Sequence, residues 1–175
     1  MKKLLLVVDY QKDFVDGALG FPGGELLDGP IARKVEEYHA NGDDVAFTLD
    51  THGENYLQTQ EGRKLPVVHC RKYTPGWNLY GETGKARQEK DRLMEKPAFP
   101  SLELGQWLRE KGYDQIELVG LVSYMCVISN AIVAKAALPE AEILIDAACT
   151  AGPDPDLHHK ALELMSTLHM TVVNS

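Results

Sequence analysis

The hydrophobic residues of the chain cluster in short runs that are apolar at every position rather than at alternate ones. Such continuous runs are typical of strands in a parallel sheet, because helices cover both faces of that kind of sheet. The segments with this character are residues 4–8, 45–49, 67–68, 93–94, 116–121, 143–145 and 170–173. We therefore predict that these segments form the strands of a mostly parallel sheet.

Segments of helical character lie between several of these runs. They are residues 29–40, 101–111, 123–138 and 154–168. Alternation of strand and helix favours right-handed crossovers, which place helices on both faces of the sheet. The pattern predicts an α/β fold with three layers and a doubly wound, Rossmann-like sheet, and the chain length predicts that residues 1–175 form a single domain.

Two stretches interrupt the alternation of strands and helices. Residues 16–28 are rich in glycine, and residues 52–92 form a long polar segment that contains Gly, Pro and Trp. Loops of this length in a compact domain are usually functional or disordered. The sequence contains no internal repeat and no low-complexity tract that would indicate a different architecture.

The composition excludes several classes of protein. Hydrophobic residues make up 44% of the chain and charged residues 25%, which is typical of a folded soluble domain. The net charge of −8 would repel a phosphate backbone, which argues against nucleic acid as a partner. Asp9 ends the first apolar run too early for a signal peptide, and no run is long enough to span a membrane. We therefore expect a cytoplasmic protein with no membrane partner.

The cysteines do not form a recognisable redox or zinc-ribbon motif. Cys70, Cys126 and Cys149 cannot all pair with one another, and none belongs to a C-x-x-C sequence. In a reducing compartment they would remain free thiols. We expect Cys70 and Cys149 to pack in the structure, and we interpret the adjacent His158 and His159 as part of a solvated helix face.

Chemically reactive side chains follow five of the apolar runs. These residues are Asp9, Asp50, His69, the pair 95–96 with Lys96, and Cys126. Charged residues often mark the point where a strand leaves the core, so each one alone is equally compatible with a structural role. Ligands of open α/β sheets bind beyond the carboxyl ends of the strands, and together these residues indicate an active site at that edge.

Cys126 has the sequence surroundings of an activated nucleophile. Residues 120–127 read as the end of a strand, a tight turn and the start of a helix, which places Cys126 in the first helical turn. Unpaired N–H groups there favour an anion, so we expect a lowered thiol pKa and donors for an oxyanion. Position alone is equally compatible with a small core residue, since free cysteines are often buried.

Three motifs in order resemble those of the isochorismatase-like cysteine hydrolases. Residues 9–14 read D-Y-Q-K-D-F and match the opening D-x-Q-x-D-F of that family. Lys96, within E-K-P-A-F, stands where the family has its active-site lysine. Residues 120–127, G-L-V-S-Y-M-C-V, match the nucleophile segment G-x-x-[ST]-x-x-C-V. The resemblance covers nearly the whole chain and implies the isochorismatase-like hydrolase fold.

The resemblance implies a catalytic triad. Asp9 would take the thiol proton of Cys126, which would attack an amide carbonyl to give a thioester that water then hydrolyses. Lys96 would keep Asp9 ionised and help to keep the thiolate anionic. The family pattern places a cis peptide bond at Val122–Ser123 and uses the N–H groups of Val122 and Cys126 for the oxyanion. The alternative is that Asp9 and Lys96 form only a buried structural ion pair.

A metal site is suggested by two histidines and an aspartate. Asp50 and His52 are two residues apart, so their side chains would project to the same side of an extended segment, and His69 ends a later run. An aspartate with two histidines is a plausible set for a divalent metal. This spacing also arises by chance, and the ligand types leave zinc, manganese and iron open, with zinc favoured.

The nicotinamidase branch of the family makes the metal site more specific. In that branch a D-x-H pair and a later histidine hold a metal that binds the pyridine nitrogen of the substrate, as Asp50, His52 and His69 would here. Many members have a further histidine where this chain has Gln58. Other members use a glutamate before the later histidine, and Glu61 matches that position better than Glu54 does, although it could also be a solvated loop residue.

The resemblance implies a small aromatic carboxamide as substrate, nicotinamide first, with nicotinate and ammonia as products. Phe14 lies beside Asp9 in the opening motif and could stack on a flat ring. Trp77 would wall the pocket from another direction or serve only in packing. Members of the family are often dimers or larger, so the resemblance also implies a homo-oligomer.

Two alternative functions are also compatible with the sequence. A metal-free member of the family would hydrolyse a carbamoyl or ureido compound, or cleave isochorismate. A catalytically silent binding or redox module on the same fold would not need to keep all three of Asp9, Lys96 and Cys126, as this chain does.

Overall fold

The computed structural model describes all 175 residues and contains one six-stranded sheet in the order β3-β2-β1-β4-β5-β6. Every neighbouring pair of strands is parallel. The strands are β1 (Lys3–Val8), β2 (Asp44–Asp50), β3 (Arg92–Lys96), β4 (Gln115–Leu121), β5 (Glu142–Ala151) and β6 (Thr171–Val173). The strand order changes direction between β1 and β4, which is the topological switch point where ligands of such folds bind.

Helices cover both faces of the sheet. The α-helices are α1 (Lys12–Val15), α2 (Asp28–Ala40), α3 (Gln60–Lys64), α4 (Gly81–Ala86), α5 (Leu102–Lys111), α6 (Ile128–Ala137) and α7 (Pro155–Thr167). Three short 3-10 helices add Gly24–Leu27, Tyr56–Gln58 and Pro75–Trp77, and a π-helical turn covers Ser123–Val127. No helix is of the length and hydrophobicity that crossing a membrane requires.

Strand β1 shows how one run of apolar residues serves two cores. Leu4 and Leu6 face a core that includes side chains of α5, α6 and α7, whereas Leu5 and Val7 face a second core with α2. Successive side chains of a strand point to opposite faces, so a strand between two helical layers must be apolar at every position. The predicted three-layer, doubly wound α/β fold is therefore confirmed.

The prediction of a strand at residues 67–68 is wrong. Val67 and Val68 lie in an irregular segment, where Val68 is 45% exposed, and the only sheet-like contact nearby is an isolated bridge between His52 and Arg71. Pro66 precedes the pair and has no N–H to donate to a ladder, which disfavours a central strand here. By contrast, the strand predicted at residues 143–145 is longer than expected, because β5 continues to Ala151 through a shift in its register with β4.

Gly120 allows β4 to approach β1 next to the carboxyl edge of the sheet. Its φ is +110°, and a Cβ atom there would lie 2.0 Å from the carbonyl oxygen of Val8. Only glycine adopts this conformation without strain. The close approach brings the end of β1, with Asp9, beside the turn that follows β4.

A network of charged groups fastens α2 to the centre of the sheet. Lys34 Nζ lies 2.7 Å from Glu117 Oε1 and 2.8 Å from Asp146 Oδ2. The hydroxyl of Tyr38 donates to Glu117 Oε2 at 2.6 Å, and the Asn174 amide donates to Asp146 Oδ2 at 3.1 Å. Both carboxylates are buried, so their charges depend on these partners.

Candidate active site

The residues that follow β1, β2, β3 and β4 meet around one cavity of about 170 Å³. Cys126 lies on its wall together with three of the candidate metal ligands. The remaining wall is mostly apolar and includes Phe14, Leu19, Phe99 and Met125. An enclosed apolar cavity with a few polar groups is typical of a site for a small molecule.

Asp9 ends β1 with a backbone that turns sharply into the site. Its φ is 45°, a left-handed conformation that is uncommon for a non-glycine residue, and its side chain is fully buried. Thr48 holds it from the neighbouring strand: the hydroxyl donates to Asp9 Oδ1 at 2.7 Å, and the Thr48 carbonyl accepts the Asp9 N–H at 3.2 Å. Thr48 was not among the residues predicted for the site, although a threonine within an apolar strand is a signal that could have identified it.

Lys96 ends β3 and its ammonium group is buried among three acceptors. Nζ lies 2.5 Å from Asp9 Oδ2, donates to the carbonyl of Ala98 at 3.0 Å, and donates to Cys126 Sγ at 3.4 Å. An ammonium group has three protons and no acceptor, so these contacts use its full capacity. The structure thus brings Asp9, Lys96 and Cys126 together from three separate segments of the chain.

Cys126 is held by the turn between β4 and α6. Its carbonyl accepts a hydrogen bond at 2.8 Å from the side chain of Asn130, which also donates to the carbonyl of Phe99 at 3.0 Å. The same side chain accepts the Ser101 N–H at 3.0 Å. Asn130 therefore joins the nucleophile turn to the segment after Lys96, and the sequence reasoning did not identify it.

The expectation of a lowered Cys126 pKa is wrong for the resting protein. Burial raises the pKa of the thiol well above its usual value, and the charge of Asp9 and a hydrogen bond to it raise it further, against the opposing effect of Lys96. Burial also raises the pKa of Asp9, although Lys96 opposes this. Cys126 lies in the π-helical turn that leads directly into α6, and removal from water is still the largest influence on its pKa. Cys126 is therefore a neutral thiol, and the raised pKa of Asp9 beside it makes that carboxylate a stronger base.

The expected position of the cis peptide bond is off by one residue. The bond lies at Leu121–Val122, and Val122–Ser123 is trans. In this arrangement the Val122 carbonyl points into the turn, where it accepts the N–H groups of Met125 at 3.0 Å and Val127 at 3.1 Å. A single carbonyl thus organises the turn that carries Cys126.

The four predicted metal ligands come together in space. One ligand atom from each of Asp50, His52, Glu61 and His69 lies within 4.8 Å of the others. Asp50 Oδ2 is 3.0 Å from His52 Nε2 and 3.2 Å from His69 Nε2, and Glu61 Oε1 is 3.6 Å and 3.7 Å from the same nitrogens. Neither Gln58 nor Glu54, both exposed, belongs to the group.

The chemistry of this group fits a divalent cation. His69 Nδ1 donates to the Val67 carbonyl at 2.7 Å, which leaves Nε2 to face the centre of the group, as metal-binding histidines commonly do. Burial raises the pKa of Glu61, and the nearby charge of Asp50 raises it further, so two carboxylates repel each other here. A cation among the four side chains would relieve that repulsion, and two imidazoles with two carboxylates are ligands that zinc accepts.

Gln11 connects the two halves of the site. Its side-chain amide donates to the carbonyls of Asp50 at 2.9 Å and Trp77 at 2.8 Å, and its oxygen accepts the Asp50 N–H at 2.8 Å. The residue is buried and fixes the end of β2 from which Asp50 projects. Its position in the motif of residues 9–14 was visible in the sequence, but its function was not.

Of the two predicted substrate contacts, the structure places only Phe14 at the cavity. Its ring lies 5.6 Å from that of His69, at an angle of 58°. Trp77 does not line this cavity: its indole N–H donates to the Thr51 hydroxyl at 2.9 Å, and the residue lines a separate cavity with Leu49 and Asn78. The suggestion that Trp77 walls the pocket is therefore wrong, and Phe99, Leu19 and Met125 supply that wall.

The interpretation of His158 as a solvated residue is also wrong. His158 is half-buried and its Nδ1 lies 2.9 Å from the hydroxyl of Ser123, at the start of the nucleophile turn. Only the neighbouring His159 is exposed. Cys70 and Cys149 are buried, as expected, and burial raises the pKa of Cys149 to about 12.

Comparisons with known proteins agree on one family. A profile of the isochorismatase domain matches residues 3–175. An uncharacterised isochorismatase family protein, PncA of Bacillus subtilis, is 34% identical over 75% of this chain and 78% of its own length. The nicotinamidase/pyrazinamidase of Mycobacterium tuberculosis is 29% identical over 99% of both chains. Among solved structures, a zinc complex of the Pyrococcus horikoshii pyrazinamidase superposes with a TM-score of 0.87 at 25% identity, over the full length of both chains.

Proposed function

The chain belongs to the isochorismatase family, and from this premise we propose that it is a metal-assisted cysteine amidohydrolase. Its substrate is a small aromatic carboxamide, nicotinamide first, and its products are the carboxylic acid and ammonia. The observation that carries the proposal is a single cavity of about 170 Å³ that is lined both by Cys126 and by Asp50, Glu61 and His69. A ring held by the metal ligands would present its carboxamide to Cys126.

The proposed reaction starts from a neutral thiol. Asp9 takes the proton of Cys126 as the sulfur attacks the amide carbonyl, so the charge moves from the carboxylate to the tetrahedral intermediate. Asp9 then returns the proton to the departing nitrogen, and ammonia leaves a thioester on Cys126. A water molecule, with Asp9 again as the base, releases the acid and restores the thiol.

Lys96 stabilises the charges that appear during these steps. Its ammonium contacts both Asp9 and Cys126, so it compensates whichever of the two is negative at a given moment. We assign the N–H groups of Val122 and Cys126 as donors to the oxyanion of the tetrahedral intermediate. Removal of water from the cavity strengthens both effects.

Asp50, His52, Glu61 and His69 would hold the metal, for which we propose zinc. When bound, the cation supplies a Lewis-acid contact for a ring nitrogen and so orients the substrate. Phe14 and Phe99 provide flat apolar walls against which the ring packs. The products of nicotinamide would be nicotinate and ammonia, and we therefore propose a role in NAD salvage.

Ammonia release from nicotinamide, with and without a chelator, tests the proposal directly. We expect turnover by the purified protein, loss on chelation and recovery on addition of zinc. Cys126→Ala and Asp9→Asn should each abolish turnover while the circular dichroism spectrum stays unchanged, and Cys149→Ala serves as the control thiol. Ammonia release from ureido compounds that is insensitive to chelation, with none from nicotinamide, would instead support a metal-free hydrolase.

A further inference from the structure

His158 contacts the start of the nucleophile turn from a different part of the chain. Its Nδ1 lies 2.9 Å from Oγ of Ser123, which is fully buried, and no other hydrogen bond involves that hydroxyl. We infer that His158 is a positioning residue, which acts through Ser123 to fix the turn that aims Cys126 at the substrate. For its kinetic arm, this inference rests on the proposed amidohydrolase function.

Ser123 occupies the point where the turn is anchored. The carbonyl before it, that of Val122, accepts the N–H groups of Met125 and Val127. Its own carbonyl accepts the N–H of Ile128, the first residue of α6. Any rotation of the peptide unit at Ser123 would move these acceptors together, and the sulfur of Cys126 and the proposed oxyanion donors would move with them.

The N-terminal end of α7, the helix that carries His158, contacts the turn at a second point. Asp154 caps α7 by accepting the N–H groups of Asp156 at 2.9 Å and Leu157 at 3.1 Å. The N–H of Asp154 itself donates to the hydroxyl of Tyr124 at 3.2 Å. One end of α7 therefore holds two consecutive residues of the turn, Ser123 and Tyr124, and the turn is fixed relative to the sheet.

Space around this contact is tight, which limits other positions for the turn. A Cβ atom on Gly152 would lie 2.4 Å from the ring of Tyr124 and 2.8 Å from Val122 Cγ1. The Tyr124 ring therefore packs directly against the backbone before α7. Burial lowers the pKa of His158, and the neighbouring His159 adds to this, so the imidazole is neutral and its Nδ1 serves as a single hydrogen-bond partner for the hydroxyl.

The effect expected from loss of this contact is kinetic. Without His158 the buried hydroxyl of Ser123 has no partner, and the turn would sample orientations in which the sulfur and the donors are misaligned. Misplacement of reacting groups by about 1 Å can cost roughly 100-fold in rate, so we expect kcat to fall about 10- to 100-fold. His158 does not line the cavity, so KM should change less than about twofold.

Substitutions at His158 separate positioning from mere packing. In His158→Asn the side-chain amide occupies the place of Nδ1 and should restore most of kcat, whereas His158→Gln places its amide beyond that point and should resemble His158→Ala. His159→Ala, one residue away and exposed, is the matched control and should behave as wild type. In Ser123→Ala, addition of His158→Ala should cause no further loss, because the shared hydrogen bond is already absent.

A readout that needs no substrate distinguishes this inference from the proposed function. The rate of iodoacetamide alkylation at Cys126, followed by mass spectrometry, should fall in His158→Ala and recover in His158→Asn, even if nicotinamide is not the substrate. The inference is overturned if His158→Ala keeps the wild-type kcat and alkylation rate. It is also overturned if His158→Asn is as impaired as His158→Ala, or if the effects of His158→Ala and Ser123→Ala are additive.

Discussion

Lys96 Nζ lies 3.7 Å from Oδ1 of Asp50 while the same ammonium group is paired with Asp9. One buried cation therefore joins the nucleophile half of the site to the metal-binding half. Burial alone would raise the pKa of Asp50, but His52, His69 and Lys96 outweigh it, so the pKa is lowered and the carboxylate stays ionised. We therefore expect the loss of Lys96 to impair the nucleophile half of the site without weakening metal binding in the other half.

Replacement of Lys96 by methionine should abolish turnover without weakening metal binding. The ammonium group that compensates Asp9 and Cys126 disappears, and we expect kcat to fall at least about 100-fold. A positive charge near the ligands also disappears, so zinc affinity should stay equal or increase. Ammonia release and zinc titration measure the two effects. Lys72→Met, which removes the half-exposed partner of Glu95, is the control. Weaker zinc binding in Lys96→Met would contradict this account.

Glu61→Gln tests whether Glu61 is a ligand of the metal group. The amide keeps the size of the side chain but removes its negative charge, and we expect zinc affinity to fall about tenfold or more. Glu54→Gln is the matched control, because Glu54 is exposed in the same segment and lies outside the group. Zinc content after dialysis against a competing chelator measures the difference. Equal zinc retention by both variants would exclude Glu61 as a ligand.

Thr48→Val tests whether Asp9 needs its partner on β2. The substitution keeps the shape but removes the hydrogen bond to Asp9 Oδ1, and a bond to a charged group contributes about 1.5–3 kcal/mol. We therefore expect kcat to fall about tenfold or more. Thr150→Val is the control, since the Thr150 hydroxyl is buried in β5 without a hydrogen-bond partner, and that variant should keep full activity. Steady-state kinetics decide, and an unchanged kcat in Thr48→Val would refute the prediction.

Lys34→Met should destabilise the fold in a pH-dependent way. It leaves Glu117 and Asp146 buried without their shared cation, which we expect to cost about 2 kcal/mol of unfolding free energy, less than for a fully buried pair because Lys34 is partly exposed. Despite burial, the contact with Lys34 lowers the pKa of Asp146 below its ordinary value. The stabilisation is thus present above about pH 4 and is lost as the pH falls through the lowered pKa.

Urea denaturation at several pH values measures this effect. The difference between wild type and Lys34→Met should be constant near neutral pH and shrink below about pH 4, as Asp146 becomes protonated in both proteins. Lys85→Met removes an exposed ion pair with Glu82 and should leave the stability close to that of wild type. A difference that grows on acidification would contradict the assigned role of Asp146.

The sequence alone was sufficient for the fold class and for most of the reactive groups. Continuous apolar runs such as residues 4–8 can be satisfied only between two helical layers, so the run pattern predicted a parallel sheet with helices on both faces. Parallel strands end at a common edge, so Asp9, Asp50, Lys96 and Cys126 had to lie along that edge, and the neighbouring positions of β3, β2, β1 and β4 bring them together. The local spacing of apolar residues and the alternation of strands with helices decide these features, and both can be recognised in the sequence.

Only the tertiary structure decided the features that depend on distant groups. The Cys126 pKa follows from complete burial beside Asp9, which no local pattern reports, so the position of Cys126 near a helix end predicted the wrong direction of the pKa shift. Trp77 and His158 were misread because their partners, Thr51 and Ser123, lie 26 and 35 positions away. Hydrogen bonds and burial act through space, so the residues that hold the catalytic groups in place become visible only when the chain is folded.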